Sequence, residues 1–518
     1  TALHTEVELK TLTAGQQMRI EPPDVFVKGT AEMTLSVSAR PTVELQAALE
    51  EQIHYPYGCV EQTSSRLLSL AYASHILGPS RATVVGDMVK AGVARLWSMQ
   101  TRSGGLGYWP GDPFPNLWGT AYAASCLLEV RNAGYEIDPR FTGDLAKYLE
   151  SCLRVPSPMR SPAAQRPFGP GAGNEAPDTN TRALICQVLA VLGQPPHGWM
   201  ARLAEQKDQL DIAGLAHLAQ AFYAAGNKEK ALSLLPSSPP PETIATATTG
   251  RLTSQVQQEA VWLSALLEIE PNHPMAGSLA ARLNKARSKG RWGSTLNNAA
   301  VIAALSRYQA MTKGEPPQFT GTIEPPAGQA VRFSDKEPAS VELHNVDGPV
   351  QLSSEGQGTV YVIVTTRGLL RDDLIQPYQQ QLSVERRWTN REGTPLDAND
   401  LAVGDLVQVE ITIKTTGESV HNIAIVDALA GGMEVENPRL ATSAHNGELE
   451  SDEPDHVEFL DDRVVLFCSA GSEPSTFRYA LRVIAAGTFA LPPIQASCMY
   501  DESVACLGRA GRVTVHSR

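Results

Sequence analysis

The chain has 518 residues, 42% apolar and 19% charged, with a net charge of −13 and a pI of about 5.4. That balance excludes nucleic acid and anionic membrane surfaces as partners, since both require clustered Lys and Arg. No apolar run approaches the roughly 20 residues that span a bilayer, and the length implies three or more domains.

Residues 1–40 read as strands. Val7-Glu8-Leu9-Lys10 and Ala31-Glu32-Met33-Thr34-Leu35-Ser36-Val37-Ser38 alternate at period two, the mark of half-buried strands. The piece is too short to fold alone and must pair with strands from elsewhere. Thr1-Ala2-Leu3-His4-Thr5 has neither the basic nor the apolar region of a signal peptide. Opening inside a strand pattern, the chain is expected to be a piece of a longer, exported protein.

From Pro41 to about Lys313 the period becomes helical. Leu184, Ile185, Val188, Leu189 and Leu192 show it, as do Leu215, Leu218, Phe222 and Tyr223. A polar Thr or Asn entry followed by an Ala/Leu-rich helix recurs, as in Asn180-Thr181-Arg182-Ala183 and Leu296-Asn297-Asn298-Ala299. Such repeated helical hairpins stack so that each buries its neighbour's apolar face, in an open solenoid or a closed ring. Two Pro-rich stretches, 156–177 and 235–241, read as exposed connections.

Within this region lies Tyr55-Pro56-Tyr57-Gly58-Cys59-Val60-Glu61-Gln62-Thr63. Cys59 and Gln62 are three residues apart at the start of a helix, so their side chains share one face. A thiolate facing a carboxamide carbon can displace ammonia and form an internal thioester. The helix N-terminus favours the thiolate of Cys59, and Gly58 allows a tight turn ahead of it. Glu61 points away from the shared face. A thioester lasts only if kept dry, and aromatic rings are suited to cover it. Tyr55 and Tyr57 flank the cysteine, and Trp109 and Trp118 follow on the next loop and helix. His54, His75, His197 and His217 carry no motif, so no catalytic base is assigned.

After Pro316-Pro317 strands return, in Val341-Glu342-Leu343-His344 and Thr359-Val360-Tyr361-Val362-Ile363-Val364. Residues 314–376 are paired with the opening 40, which makes the helical region an insertion into one β-sandwich. From 377 to 518 short strands such as Leu406–Ile413, Ile423–Asp427 and Phe477–Val483 suggest a sandwich of the immunoglobulin kind. Of seven cysteines, six remain beside Cys59; Cys126 and Cys186 read as buried thiols, and Cys498 and Cys506 are close enough in sequence to leave a bridge open. There is no C-x-x-C pair, so no structural zinc and no cofactor is expected.

Tyr55-Pro56-Tyr57-Gly58-Cys59-Val60-Glu61-Gln62 resembles the Cys-x-Glu-Gln thioester signature of the α2-macroglobulin and complement family, in its bacterial form. Val60 stands where vertebrate members often carry glycine. The segments Val426–Glu434 and Phe489-Ala490-Leu491-Pro492-Pro493 resemble the last macroglobulin-like domain of bacterial members. The resemblance implies a multidomain α + β architecture. An α/α-toroid thioester domain (41–313) would interrupt a CUB-like β-sandwich (1–40 and 314–376), followed by a C-terminal macroglobulin-like domain (377–518). It also implies that Met499-Tyr500 matches a Met-Tyr pair that packs over the bond.

By the same resemblance the expected function is a broad-spectrum protease trap. A protease cuts a bait region upstream of this chain, and the thioester acylates one of its lysines. The device works once and is not an enzyme. The expected partners are proteases and a penicillin-binding cell-wall synthase, in a periplasm reached through an upstream inner-membrane anchor. The alternatives are an α/α-toroid enzyme and a thioester adhesin acylating surface amines. Against the enzyme stand the absence of D-x-D-D, G-x-S-x-G and H-E-x-x-H runs.

Overall fold

The computed structural model describes residues 3–38, 45–77, 81–154, 177–241, 252–288, 290–311, 318–336, 339–344, 346, 348–371, 374–436 and 451–517. The Pro-rich stretch 156–177 lies almost wholly outside the described residues. The chain forms two compact units, one of residues 2–243 and 253–370, the other of 371–518 with 244–252.

The first unit contains a β-sandwich made from both ends of its sequence. Strands β1 (Leu3–Thr13), β2 (Gln17–Ile20) and β3 (Glu32–Ser38) come before the helices. Strands β4 (Gln318–Glu324), β5 (Val331–Ser334), β6 (Ala339–His344), β7 (Val350–Gln357) and β8 (Thr359–Leu369) come after them. One sheet runs β1-β8-β3-β6 and the other β2-β7-β4-β5. β1 lies antiparallel along the whole of β8, Leu3 opposite Leu369 and Thr13 opposite Thr359. Alternate residues of both sheets face one core: Met33, Leu35, Val360 and Val362 from the first, Phe319, Ile323, Val350 and Leu352 from the second. Burying each such side chain contributes about 1.5–3 kcal/mol. The unit ends at Leu370, where a bridge to Phe26 closes the ladder.

Between the two strand groups run helices α1 (Gln46–His54), α2 (Val60–Ala71), α3 (Ala73–Leu77), α4 (Ala82–Ser98), α5 (Leu117–Asn132), α6 (Pro139–Leu153) and α7 (Thr179–Val191). They continue as α8 (His197–Glu205), α9 (Ile212–Ala224), α10 (Lys228–Leu234), α11 (Gln255–Ile269), α12 (Met275–Lys285) and α13 (Thr295–Met311). The packing order is α2–α5–α7–α9–α11–α13, and α13 packs back on α2, closing a ring. The ring helices are buried nearly all round; α13 buries every position from Thr295 to Ser306 except Asn297. Helices of that pattern belong inside. The intervening helices bury one stripe only, as α6 does with Phe141, Leu145, Leu149 and Leu153, and they pack on the outside: α6 on α5, α8 on α7, α10 on α9, α12 on α11.

Polar side chains tie the ring helices at matching ends, which makes them parallel. At their starts, Asn180 and Asp211 exchange hydrogen bonds between α7 and α9 (3.0 Å each), and Ser254 donates to Asn297 between α11 and α13 (2.6 Å). Near their ends, Tyr72 and Arg307 both donate to Glu129, and Gln220 links Gln187 to Glu268. Cys59, Asn116, Asp178, Asp211 and Ser254 each cap a ring helix by accepting from a backbone N–H in its first turn.

The contact of α2 with α5 is close. A Cβ built on Gly119 would lie 2.5 Å from Cγ1 of Val60, the residue after Cys59. Gly119→Ala should therefore destabilise the first unit by about 1–3 kcal/mol, against the gain of about 1 kcal/mol that alanine brings to an open helix site. Thermal unfolding checks this; a raised midpoint would show that the helices separate freely there.

The second unit is a sandwich of strands that are antiparallel except for the short parallel pair β11–β21. Its strands are β9 (Tyr378–Gln380), β10 (Leu382–Thr389), β11 (Leu401–Ala402), β12 (Leu406–Thr415), β13 (Val420–Ala428), β14 (Met433–Val435), β15 (His456–Phe459) and β16 (Arg463–Ala470). β17 (Ser475–Val483), β18 (Gly487–Leu491), β19 (Gln495–Cys498), β20 (Asp501–Leu507) and β21 (Gly511–His516) complete it. One face runs β10-β12-β17-β14 and the other β15-β16-β13-β19-β20-β9, with β11-β21-β18 beside them. Val407, Val409, Ile411 and Ile413 of β12 and Phe477 and Leu481 of β17 pack with Ile423, Ile425, Val464 and Leu466 of the opposite face. All seven cysteines are free thiols, Cys498 and Cys506 included.

Candidate functional site

Pro56 forces Tyr55 out of the helical region (φ −61°, ψ 124°), which ends α1. The chain then crosses Pro56, Tyr57 and Gly58 before α2 begins. Two arginines hold this crossing by its carbonyls. Arg66 donates to the Gln52 and Tyr55 oxygens, and Arg95 to the Gly58 oxygen at 3.3 Å. Two carbonyls at the end of α1 are thus satisfied by the Arg66 side chain of α2. Gly58 does not serve a tight turn: it is not among the residues of positive φ, and a Cβ there would make ordinary contact with Arg95 at 3.5 Å.

Cys59 is the cap of α2, in extended conformation (φ −70°, ψ 175°) just outside the helix, and not part of its first turn. Its sulfur accepts from the Gln62 backbone N–H at 3.5 Å. Its own backbone N–H donates to Gln62 Oε1 at 3.1 Å. This is a reciprocal capping box with cysteine in the place of serine. Both residues are buried, Cys59 completely. The box folds the carboxamide of Gln62 back over the cap residue, on the side of the thiol. Thiol and carboxamide are thus held at the same helix cap. The N–H that holds Oε1 points where negative charge collects when sulfur adds to the amide carbon.

Burial pushes the Cys59 thiol up to about 12, and the charge of Glu61 adds to the shift. Hydrogen bonds from the Gln62 backbone, the Tyr108 side chain and the Glu61 backbone pull the other way and lose. The expectation of a favoured thiolate fails for this reason: desolvation of a sulfur with no exposed surface outweighs the helix N-terminus.

Glu61 has a defined place that helical spacing alone did not reveal. It is fully buried, accepts from Thr295 at the start of α13 (2.8 and 3.1 Å), and accepts from Ser65 one turn on (2.5 Å). The carboxylate therefore ties α2 to α13 where the ring closes. The Ser65 hydroxyl also meets Tyr122 at 2.8 Å, and the Tyr122 ring stacks on Trp118 at 5.2 Å. Trp118 thus belongs to the α5–α2 contact.

The rings of Tyr55 and Tyr57 meet edge to face at 5.5 Å. Burial raises the Tyr55 hydroxyl well above its usual range, and the charges of Tyr57, Glu61 and Cys59 add to this. Trp109 is buried, edge-on to Tyr108 at 5.8 Å, its backbone N–H donating to the Asp112 carboxylate at 2.8 Å. The Tyr108 carbonyl accepts from Val60 N–H at 2.9 Å, so this loop is bonded to the residue after Cys59. Tyr108 closes the turn Gly104-Gly105-Leu106-Gly107-Tyr108, whose glycines are its signal in the sequence; Gly104 takes φ 91° close against the Asp144 carbonyl. Met499 and Tyr500 form the turn between β19 and β20 in the second unit, the Met499 N–H donating to Asn422 at 2.9 Å. Of the four histidines, His54 pairs loosely with Glu50, and His217 on α9 is held neutral by burial, down to about 4. Among the described residues no group of His, Cys, Asp and Glu is arranged to hold a metal.

The family described as the bacterial alpha-2-macroglobulin MG10 domain matches residues 382–503. An alpha-2-macroglobulin of Escherichia coli is 26% identical over 512 residues, 92% of this chain and 29% of that protein. One of Pasteurella multocida is 22% identical, over 96% of this chain and 26% of its own length. The chain therefore spans less than a third of the length of these curated relatives. Among solved structures, native E. coli alpha-2-macroglobulin from domain MG7 to the C-terminus superposes with a TM-score of 0.77 at 23% identity, covering 99% of this chain and 82% of that one. Salmonella alpha-2-macroglobulin reacted with methylamine gives 0.78 at 22%, covering 99% and 34%.

Proposed function

Since the chain is a relative of the bacterial alpha-2-macroglobulins and matches their C-terminal portion, we infer that it carries an internal thioester between Cys59 and Gln62 and uses it to capture proteases. The observation that carries this reading is the reciprocal box: Sγ and the carboxamide held together at the cap of a buried helix, 3.5 and 3.1 Å from each other's backbone N–H. The Cys59 S–H adds to the Gln62 amide carbon and ammonia leaves. Later a protease lysine attacks the same carbon, the C–S bond breaks, and amide and free thiol remain. The acyl group is spent in one event, so the chain is an inhibitor with no turnover.

The closed ring of helices serves, in this reading, as the α/α-toroid thioester domain, and the sandwich that it interrupts as the CUB-like domain. Tyr55, Tyr57, Trp109 and Trp118 shield the bond from within the first unit; a part for Met499 and Tyr500 rests on the family resemblance alone. The setting would be the periplasm, with an inner-membrane anchor upstream, the bait region upstream as well, and a penicillin-binding synthase as neighbour. That a Salmonella relative was reacted with methylamine supports the choice of probe. Intact mass should fall short of the sequence mass by one ammonia, and methylamine should then add its own mass while freeing one thiol. Fresh protein at full mass, with Cys59 already open to alkylation and inert to methylamine, would sink the proposal.

A further inference from the structure

The Cys59–Gln62 pair opens α2, where a helix has the fewest backbone bonds of its own. We propose that Thr295, at the start of α13, is a positioning residue for thioester formation: it sets the first turn of α2 so that the Gln62 carboxamide stays on the Cys59 thiol. The inference rests on the thioester reading and adds to it a residue and a role.

Thr295 is buried, and its hydroxyl lies 2.8 and 3.1 Å from the two carboxylate oxygens of Glu61. Glu61 stands directly before Gln62, so this bond fixes the backbone that carries the carboxamide. A donor so distant in sequence reaches α2 because α13 packs on α2 to close the ring. Thr295 is itself held. Its carbonyl accepts from Gln52 Nε2 at 2.5 Å. Asn298, one turn on, donates to Glu51 at 3.0 Å and accepts from the Trp292 N–H at 2.7 Å. Gln52 and Glu51 both belong to α1. That helix leads into the crossing before Cys59, where the Gln52 and Tyr55 carbonyls accept from Arg66. Thr295 is therefore the common reference for the two stretches that meet at Cys59: the first turn of α2 through Glu61, and the Tyr55–Gly58 crossing through Gln52. Position matters because sulfur must meet the amide carbon on a narrow line, and a displacement of about 1 Å costs about 100-fold in rate. The C–S bond forms, the C–N bond breaks, and the thiol proton leaves with the amide nitrogen as ammonia. Thr295 exchanges no proton in this step.

Thr295→Val keeps the shape of the side chain and removes its hydroxyl; Ser65 still donates to Glu61 at 2.5 Å, so the buried carboxylate keeps a partner. The chain is made by cell-free translation, alkylated at intervals and weighed. Thr295→Val should reach a mass short by one ammonia about 100-fold more slowly than the unsubstituted chain. Thr295→Ser, which keeps the hydroxyl, should match the unsubstituted rate. A residue that served packing alone would move the unfolding midpoint and leave the rate of ammonia loss as it was. Equal rates in folded Thr295→Val and the unsubstituted chain therefore overturn the Thr295 proposal and leave the thioester reading standing; Thr295→Ser as slow as Thr295→Val overturns it too. Absence of the mass deficit in the unsubstituted chain defeats the thioester reading itself. Should Thr295→Val fail to fold, Thr295→Ala, which puts nothing in the place of the hydroxyl, takes the same test.

Discussion

Replacing Gln62 by alanine should give a folded chain that tethers no protease, shows full mass and gains nothing from methylamine. The acyl carbon is gone, so the loss is complete and not graded. The cost to the fold is modest, about 1 kcal/mol, because only the Gln62 half of the capping box is removed. The variant also exposes the ionisation of Cys59 to measurement. Burial and Glu61 hold this thiol at about 12, against 9.0 when unfolded, so at pH 8 its thiolate fraction should be about a thousandfold below that of an exposed cysteine. The folded pKa is the higher one, so folding favours the protonated thiol. The associated stability is present below pH 9.0 and is lost as pH rises from there toward 12. Alkylation of Cys59, followed by peptide mass, should keep rising beyond pH 11. A plateau near pH 9 at the rate of an exposed thiol would show that the sulfur is not dry.

What the sequence made legible was what depends on neighbours along the chain. Period-two alternation marked Glu32–Ser38 and Leu406–Ile413, because in each strand every second residue enters a core. Polar entries followed by Ala/Leu runs marked the ring helices, because a helix buried all round has no polar face to show, and its first turn still needs a cap such as Asp178 or Ser254. The three-residue spacing of Cys59 and Gln62 survives the shift of Cys59 from first turn to cap, since the capping box joins the same two positions. What failed depends on groups brought in from a distance. The thiolate expected at Cys59 is suppressed by burial under the folded ring. Glu61 points away from Gln62, yet is held by Thr295, which only ring closure brings to α2. Tyr108 comes next to the motif because a loop before α5 is bonded to Val60. Gly58 shows the opposite error: a glycine beside a motif invites a conformational reason, and its backbone needs none.

Asp427→Ala should be the most destabilising single change in the second unit. Asp427 accepts from Arg386 and, at 2.6 Å, from the Tyr479 hydroxyl; Arg386 also donates to the Pro492 carbonyl at 2.9 Å. The two charged side chains are only 8% and 2% exposed. This cluster joins β10, β13 and β17 across the sandwich, and neither charge has water to turn to. Removing the carboxylate strands a buried guanidinium and a buried hydroxyl, at a cost of about 3–5 kcal/mol, a large part of the roughly 5–15 kcal/mol that holds a domain together. The pair itself is not the source of that stability, since isolating either charge is what costs. Arg386→Met combined with Asp427→Leu should therefore recover most of the loss, and denaturant unfolding of the three proteins checks both statements. A loss below about 1 kcal/mol for Asp427→Ala would mean that the pair behaves as a surface one.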